Sequence, residues 1–91
     1  MERILLLRKR IDEIDEQILR FLKERMEISK SIGTTKREHG IPVRNNQRED
    51  ELYRNIVRRA LELGLNPQEV KAVYQKILAM SIRAQESDTK T

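Results

Sequence analysis

Cysteine is absent from this chain, and histidine occurs once, at His39. No disulfide, thiolate metal site or cysteine nucleophile is available, and a lone histidine suits neither a metal centre nor a nucleophilic triad. Aromatic residues make up only 3%, with no tryptophan. Tyr53 and Tyr74 fall at helical spacings and read as core rather than as a base-stacking platform. Glycine occurs three times, and no glycine-rich phosphate loop is formed. Long apolar runs are also missing. Leu5-Leu6-Leu7 is preceded by Arg3 and followed at once by Arg8, Lys9 and Arg10, too short a stretch for a secretory leader or a membrane span. The expectation is a soluble cytoplasmic protein with no membrane partner. Repeats, low-complexity tracts and strand signals are lacking as well.

What is present is charge and aliphatic bulk, at 37% charged and 37% hydrophobic in 91 residues. A mixture rich in Glu, Lys, Arg, Leu and Ile reads as helices with one face in water. So short a chain is one domain at most, and a small domain buries a small share of its surface. Without disulfides or metal, oligomerisation is the remaining common source of stability. The formal charge of +4 favours an anionic partner without saying which kind.

The first segment has a sharp period. Ile4, Ile11, Ile18, Arg25 and Ile32 fall seven apart, and Leu7, Ile14, Phe21 and Ile28 form a second row offset by three. This is the a/d stripe of a long helix, predicted over about residues 3–39. Gly33 weakens it without ending it. Gly40 suits the left-handed position after a helix, and Pro42 prevents continuation. Such a helix is roughly 55 Å long, whereas a compact domain of this size has a radius of gyration of roughly 12 Å. The helix overhangs any core the chain can make alone, so its stripe must meet another copy or another protein.

A second helix follows Val43-Arg44-Asn45-Asn46, with Asn46 as cap and Glu49 in the capping-box place; Asn45 can cap instead. Its apolar face is Leu52, Tyr53, Ile56, Ala60 and Leu63, and Gly64 ends it. Asn66-Pro67 starts a third helix with Glu69 again in the capping-box place. Its stripe is Val70, Val73, Tyr74, Ile77, Leu78 and Ser81, with Gln85 one turn on. The division is a helical domain over residues 1–86 and a polar, frayed tail over 87–91.

The informative charges sit on apolar stripes. Arg25 takes an a-type seat, and Lys36 lies about three turns on, on nearly the same side. Two cations on one partly buried face cost free energy unless something anionic meets them. For Arg25 the alternatives are an anion site or an ion pair with a glutamate of another helix, Glu49 being the obvious candidate. For Lys36 the alternative is a solvated side chain that complements the helix dipole. Arg8 flanks the stripe. It is solvent-exposed in one reading, and in an antiparallel or crossed dimer it reaches the partner's cavity. Glu49 is explained by capping and Arg48 by solvent. Ser81 and Gln85, four apart, either end an apolar stripe in hydrogen-bonding groups or mark the helix emerging into water.

Taken together these positions resemble the all-helical chorismate mutase family. The match runs ungapped from about Leu5 to Gln85. It is carried by Leu7-Arg8, Ile11-Asp12-Glu13-Ile14-Asp15, Leu22-Lys23-Glu24-Arg25, Gly33-Thr34-Thr35-Lys36, Ile41-Pro42-Val43-Arg44-Asn45-Asn46-Gln47-Arg48-Glu49 and Ser81-Ile82-Arg83-Ala84-Gln85. Each fragment is weak alone, and their order and spacing make the signal specific. The resemblance implies an all-α fold of three helices per chain, intertwined as a homodimer through the long first helices. It implies a stand-alone, monofunctional enzyme that converts chorismate to prephenate without cofactor or metal. Each active site would take Arg25, Lys36, Asn45, Arg48, Glu49, Ser81 and Gln85 from one chain and Arg8 from the other. Many members carry Asp where this chain has Asn45, beside the substrate hydroxyl.

The reaction implied is pericyclic, so no proton, covalent intermediate or cofactor is needed. The enzyme holds a compact conformer and stabilises charge on the ether oxygen. On this reading Arg8 and Arg25, helped by Ser81, take the carboxylates, and Lys36 and Gln85 flank the ether oxygen. Glu49 accepts from the ring hydroxyl, Arg48 holds Glu49 or a carboxylate, and Ile32 and Leu78 exclude water. No regulatory domain is expected within the chain. A near alternative is an isochorismate-pyruvate lyase of the same fold. An alternative of another class is a non-enzymatic basic helical module that binds nucleic acid or a partner helix. Asp12, Glu13, Asp15, Glu16, Glu24 and Glu27 interrupt any continuous basic stripe, so no nucleic-acid partner is expected.

Overall fold

The computed structural model describes residues 1–87. The polar tail expected over 87–91 falls, apart from Ser87, outside the described residues. Three helices account for the fold: α1 (Glu2–Glu38), α2 (Asn46–Glu62) and α3 (Pro67–Glu86), with no strand among the described residues. None is long and apolar enough to cross a membrane.

The ends of the helices follow local chemistry. After α1, Gly40 adopts φ 66° and lets two amides turn back, Gly40 N–H to the Arg37 carbonyl at 3.3 Å and Ile41 N–H to the Lys36 carbonyl at 2.8 Å. This is a Schellman closure, in which glycine avoids the Cβ penalty of left-handed backbone. The same closure recurs at Gly64 (φ 75°), with Leu65 N–H on the Ala60 carbonyl at 2.8 Å. Asn66 caps α3 by accepting from the amides of Gln68 and Glu69, with Pro67 in the first turn.

Three expectations need correction. Asn45, not Asn46, caps α2: its backbone is extended, and its Oδ1 accepts from Arg48 N–H at 3.0 Å. Glu49 then stands one place too late for a capping box, and its carboxylate is directed elsewhere. Leu63, at the C-cap of α2, is 62% exposed, and Val73 is 57% exposed. The packed faces of α2 and α3 are narrower than the apolar pattern suggests.

The third helix lies between the other two. It packs on α1 and on α2, while α1 and α2 have no Cα atoms within 8 Å of each other among the described residues. Lys71 of α3 sets its ammonium 5.5 Å from the Tyr53 ring centroid, a cation–π tie to α2. Only the second half of α1 takes part. Residues 2–21 are exposed throughout. Ile4, Leu7, Ile11, Ile14, Ile18 and Phe21 are between 38% and 69% accessible. The chain measures 56 Å along its longest axis with a radius of gyration of 16.6 Å, well above the roughly 12 Å of a compact domain. Ala60 is the one buried apolar side chain among the described residues. A single chain therefore closes no core around the first half of α1.

Candidate active site

Where the second half of α1, the start of α2 and the end of α3 converge, they enclose a cavity of about 390 Å³. Arg25, Ile28, Ser29, Ile32 and Lys36 line it from α1. Arg48, Glu49 and Leu52 come from α2 with the cap residue Asn45, and Leu78, Ser81 and Gln85 come from α3. The structure thus brings together seven of the eight residues singled out in the sequence. Arg8 is not among them. It lies on the exposed half of α1, about 26 Å along the helix from Arg25 at 1.5 Å per residue.

Arg25, Lys36 and Gln85 have defined partners. The Arg25 guanidinium donates to the hydroxyl of Ser81, a buried side chain on α3. Glu49 therefore does not pair with Arg25, and among the described residues no carboxylate answers Arg25 in a salt bridge. Lys36 donates to the Val43 carbonyl at 2.7 Å and to Gln85 Oε1 at 2.8 Å. An ammonium has only donors, so it fixes the orientation of the amide: Oε1 faces Lys36, and the Nε2 hydrogens are left to donate elsewhere. Arg25, Lys36, Arg48 and Glu49 bring three cationic groups and one anionic group to the cavity wall.

Glu49 is engaged from outside the cavity. Arg44, on the segment between α1 and α2, donates through Nε at 2.8 Å to one carboxylate oxygen and through Nη2 at 2.7 Å to the other. These hydrogen bonds hold the Glu49 carboxyl below the ordinary carboxylate range, against the opposing effect of desolvation, and raise Arg44 in turn. Arg48, expected to hold Glu49 or a carboxylate of the substrate, donates to Glu51 at 3.1 Å rather than to Glu49. The reason is helical geometry: Arg48 and Glu51 are three apart and adjacent on the surface, whereas consecutive residues 48 and 49 diverge.

Four contributors escaped the sequence reading. Ser29 is buried on the cavity wall one turn after Arg25, a spacing that offered a signal. Arg44 is the second. Arg37 is the third, donating to the Gln85 carbonyl at 2.7 Å and so tying the last turn of α3 to the end of α1. Gly33 is the fourth. A Cβ at this position would stand 2.6 Å from the Gln85 Cα and 2.8 Å from its carbonyl carbon. Backbone meets backbone here, and no flexible side chain can give way. Gly33→Ala gains helix propensity but forces α1 and α3 apart. We expect a net destabilisation of about 1–3 kcal/mol in denaturant unfolding at fixed protein concentration. Unchanged stability would mean that the close approach does not persist in solution.

A larger, open groove runs along Tyr53, Val57 and Leu61 of α2. Its cations Arg54, Arg58 and Lys71 are accompanied by two carboxylates, Asp50 and Glu62, and Arg58 is paired with Glu62 at 2.9 Å. Among the described residues no cluster of His, Cys, Asp or Glu could hold a metal ion.

Comparison with known proteins gives this arrangement a context. Residues 7–86 match the model of a family described as chorismate mutase type II. The bifunctional chorismate mutase/prephenate dehydratase of Aquifex aeolicus is 40% identical over 82 residues, covering 87% of this chain and 23% of that protein. The chorismate mutase of Methanocaldococcus jannaschii is 38% identical over 56 residues, covering 62% of this chain and 57% of its own length. The chain therefore spans less than two thirds of either curated relative. Among solved structures, a conserved hypothetical protein from Pyrococcus furiosus superposes with a TM-score of 0.75 at 38% identity, covering 93% of this chain and 97% of that one.

Proposed function

Because the chain belongs to the type II chorismate mutase family, we propose that it is a chorismate mutase, which works as a homodimer and rearranges chorismate to prephenate. The observation that carries this reading is the convergence of Arg25, Lys36 and Gln85 on one small cavity walled by Ile32 and Leu78. Chorismate has two carboxylates, an ether oxygen and a ring hydroxyl. The reaction breaks one C–O bond and forms one C–C bond within a single molecule.

In this proposal Arg25, with Ser81 beside it, grips one carboxylate through paired N–H donors. Arg8 of the partner subunit meets the other end of the dianion, with Arg48 at hand on the cavity rim. Lys36 and the Nε2 amide of Gln85 flank the ether oxygen, where negative charge grows in the transition state. Their shared hydrogen bond sets both groups before substrate arrives, so little reorganisation is needed. Glu49 accepts from the ring hydroxyl. Asn45 uses its Oδ1 on the helix cap and keeps its amide N–H₂ and backbone for that end of the substrate. The apolar wall keeps water out and strengthens these fields.

Exposed surface supports the dimer. The first half of α1 presents Ile4, Leu7, Ile11, Ile14, Ile18 and Phe21 to solvent, and covering the exposed part of each is worth about 1 kcal/mol. Ile28 and Ile32 line the cavity yet are 54% and 43% exposed, so the site lacks a wall on that side. An antiparallel partner helix supplies the wall and brings its own Arg8 with it. A cytoplasmic location belongs to the same reading; the chain has no cysteine, and among the described residues no helix is long and apolar enough to cross a membrane.

The test is direct. Purified protein should abolish chorismate absorbance with prephenate formed in equal amount, and the rate should stay level through neutral pH because the Gln85 amide does not titrate. Pyruvate release from isochorismate without prephenate from chorismate would instead identify a lyase. Salt-sensitive binding to DNA with neither reaction would point to a basic binding module.

A further inference from the structure

We infer that Arg44, on the segment between α1 and α2, is the positioning residue for Glu49 and fixes the direction in which that carboxylate enters the cavity, an inference that rests on the proposed reading of the site. Three observations support it. The first is the fork itself: two nitrogens on two oxygens, at 2.8 and 2.7 Å. A bidentate contact fixes the plane of a carboxylate as well as its distance, which a single donor cannot do. The second is the division of exposure. The Glu49 side chain is 15% accessible and lines the cavity, whereas Arg44 is 61% accessible and reaches it from outside. Arg44 thus holds Glu49 without occupying substrate space.

The third is the anchoring of the segment. The carbonyl of Val43 accepts from Lys36, and the side chain of Asn45 accepts from the first turn of α2. Arg44 lies between two residues that are each tied to a helix bearing a site residue. The same short segment therefore aligns Lys36 and Glu49, which both line the cavity. Among the described residues no other cation takes this role: Arg25 is engaged by Ser81, Lys36 by Val43 and Gln85, and Arg48 by Glu51.

Two effects of Arg44 separate by pH. The charged group in contact with Glu49 is Arg44; the other charged groups on the same cavity wall are Arg48 from α2 and Arg25 and Lys36 from α1. Arg44 in turn feels Tyr53 of α2 and Glu86 of α3. With Arg44 gone, the Glu49 carboxyl loses the contact that holds it low and titrates at higher pH, nearer the ordinary carboxylate value. That value is still well below neutrality, so Glu49 remains charged at neutral pH in the variant. Loss at neutral pH then reports orientation, and displacement of the acid limb reports charge.

The experiment measures kcat and KM for chorismate from acid to neutral pH in the wild type, Arg44→Gln and Arg44→Lys, with the carboxyl titration of Glu49 followed by NMR in the free proteins. Arg44→Gln should lower kcat/KM at neutral pH by roughly ten- to hundredfold, as a misplaced group does. Most of this should appear in KM, because the hydroxyl contact exists in ground and transition states alike. Its acid limb should move to higher pH. Arg44→Lys should restore the acid limb but only part of the neutral-pH rate, since a point charge cannot reproduce the fork. A wild-type KM and an unmoved acid limb in Arg44→Gln would overturn the inference. A wild type that does not turn over chorismate would defeat the mutase reading. The NMR titration still decides the pair in that event: Glu49 titrating alike in wild type and Arg44→Gln would overturn it, and a raised value would support it.

Discussion

Lys36→Ala is expected to lower kcat by about a thousandfold, about 4 kcal/mol of transition-state stabilisation, with helical circular dichroism and dimerisation unchanged. One donor aimed at developing charge accounts for much of this. The rest comes from the second bond of the ammonium. Lys36 donates to Gln85 Oε1 at 2.8 Å, and without it the amide of Gln85 is free to rotate its oxygen into the cavity. The ether oxygen would then lose two donors and meet an acceptor. Lys36 also holds the Val43 carbonyl at 2.7 Å, so the segment carrying Arg44 and Asn45 loosens. Lys36→Met separates packing from charge: it keeps a stem of similar length and should be as inactive as Lys36→Ala. Near-normal turnover in either variant would remove Lys36 from the mechanism.

The sequence carried what is decided locally. The seven-residue rows of α1, the glycines at 40 and 64, and the Asn66-Pro67 start each act within a few residues, and the helices fall where these signals put them. The sequence leaves the α2 cap open between Asn46 and Asn45 because the two asparagines are adjacent and either can accept from the first turn. Only the backbone, extended at Asn45, decides between them. Apolar periodicity also cannot say how wide a partner face is, which is why Val73 and Leu63 were assigned to packed faces and stand exposed.

The cavity was legible as a set of misplaced polar residues, and its internal wiring was not. Arg44 and Glu49 are five apart across a helix start, a spacing outside the i,i+3 and i,i+4 rules that make surface pairs readable. Arg37 and Gln85 are 48 apart. Gly33 shows the limit most plainly. Read by intrinsic propensity, it is a weak point in a helix. In the fold it is where the backbones of α1 and α3 nearly touch, at the residue that bears the Gln85 side chain. Propensity concerns one helix, whereas close approach is a property of two.

Mixing inactive Arg8→Ala chains with inactive Lys36→Ala chains should restore activity. Arg8 lies about 26 Å along α1 from Arg25 and on the opposite side of Arg25 from Lys36, so no rotamer lets it serve the cavity of its own chain. In a symmetric antiparallel dimer it serves the other chain's cavity. A mixed dimer then holds one site that lacks both groups. Its other site has Lys36 from the Arg8→Ala chain and Arg8 from the Lys36→Ala chain, and is intact. Random exchange at equal amounts makes about half the dimers mixed and leaves about a quarter of all sites complete. Activity should rise from near zero toward that fraction as exchange proceeds, and native mass spectrometry can follow the mixed species alongside the rate. If mixed dimers form and activity does not rise, the sites are not shared between chains and Arg8 does not serve the cavity of the partner.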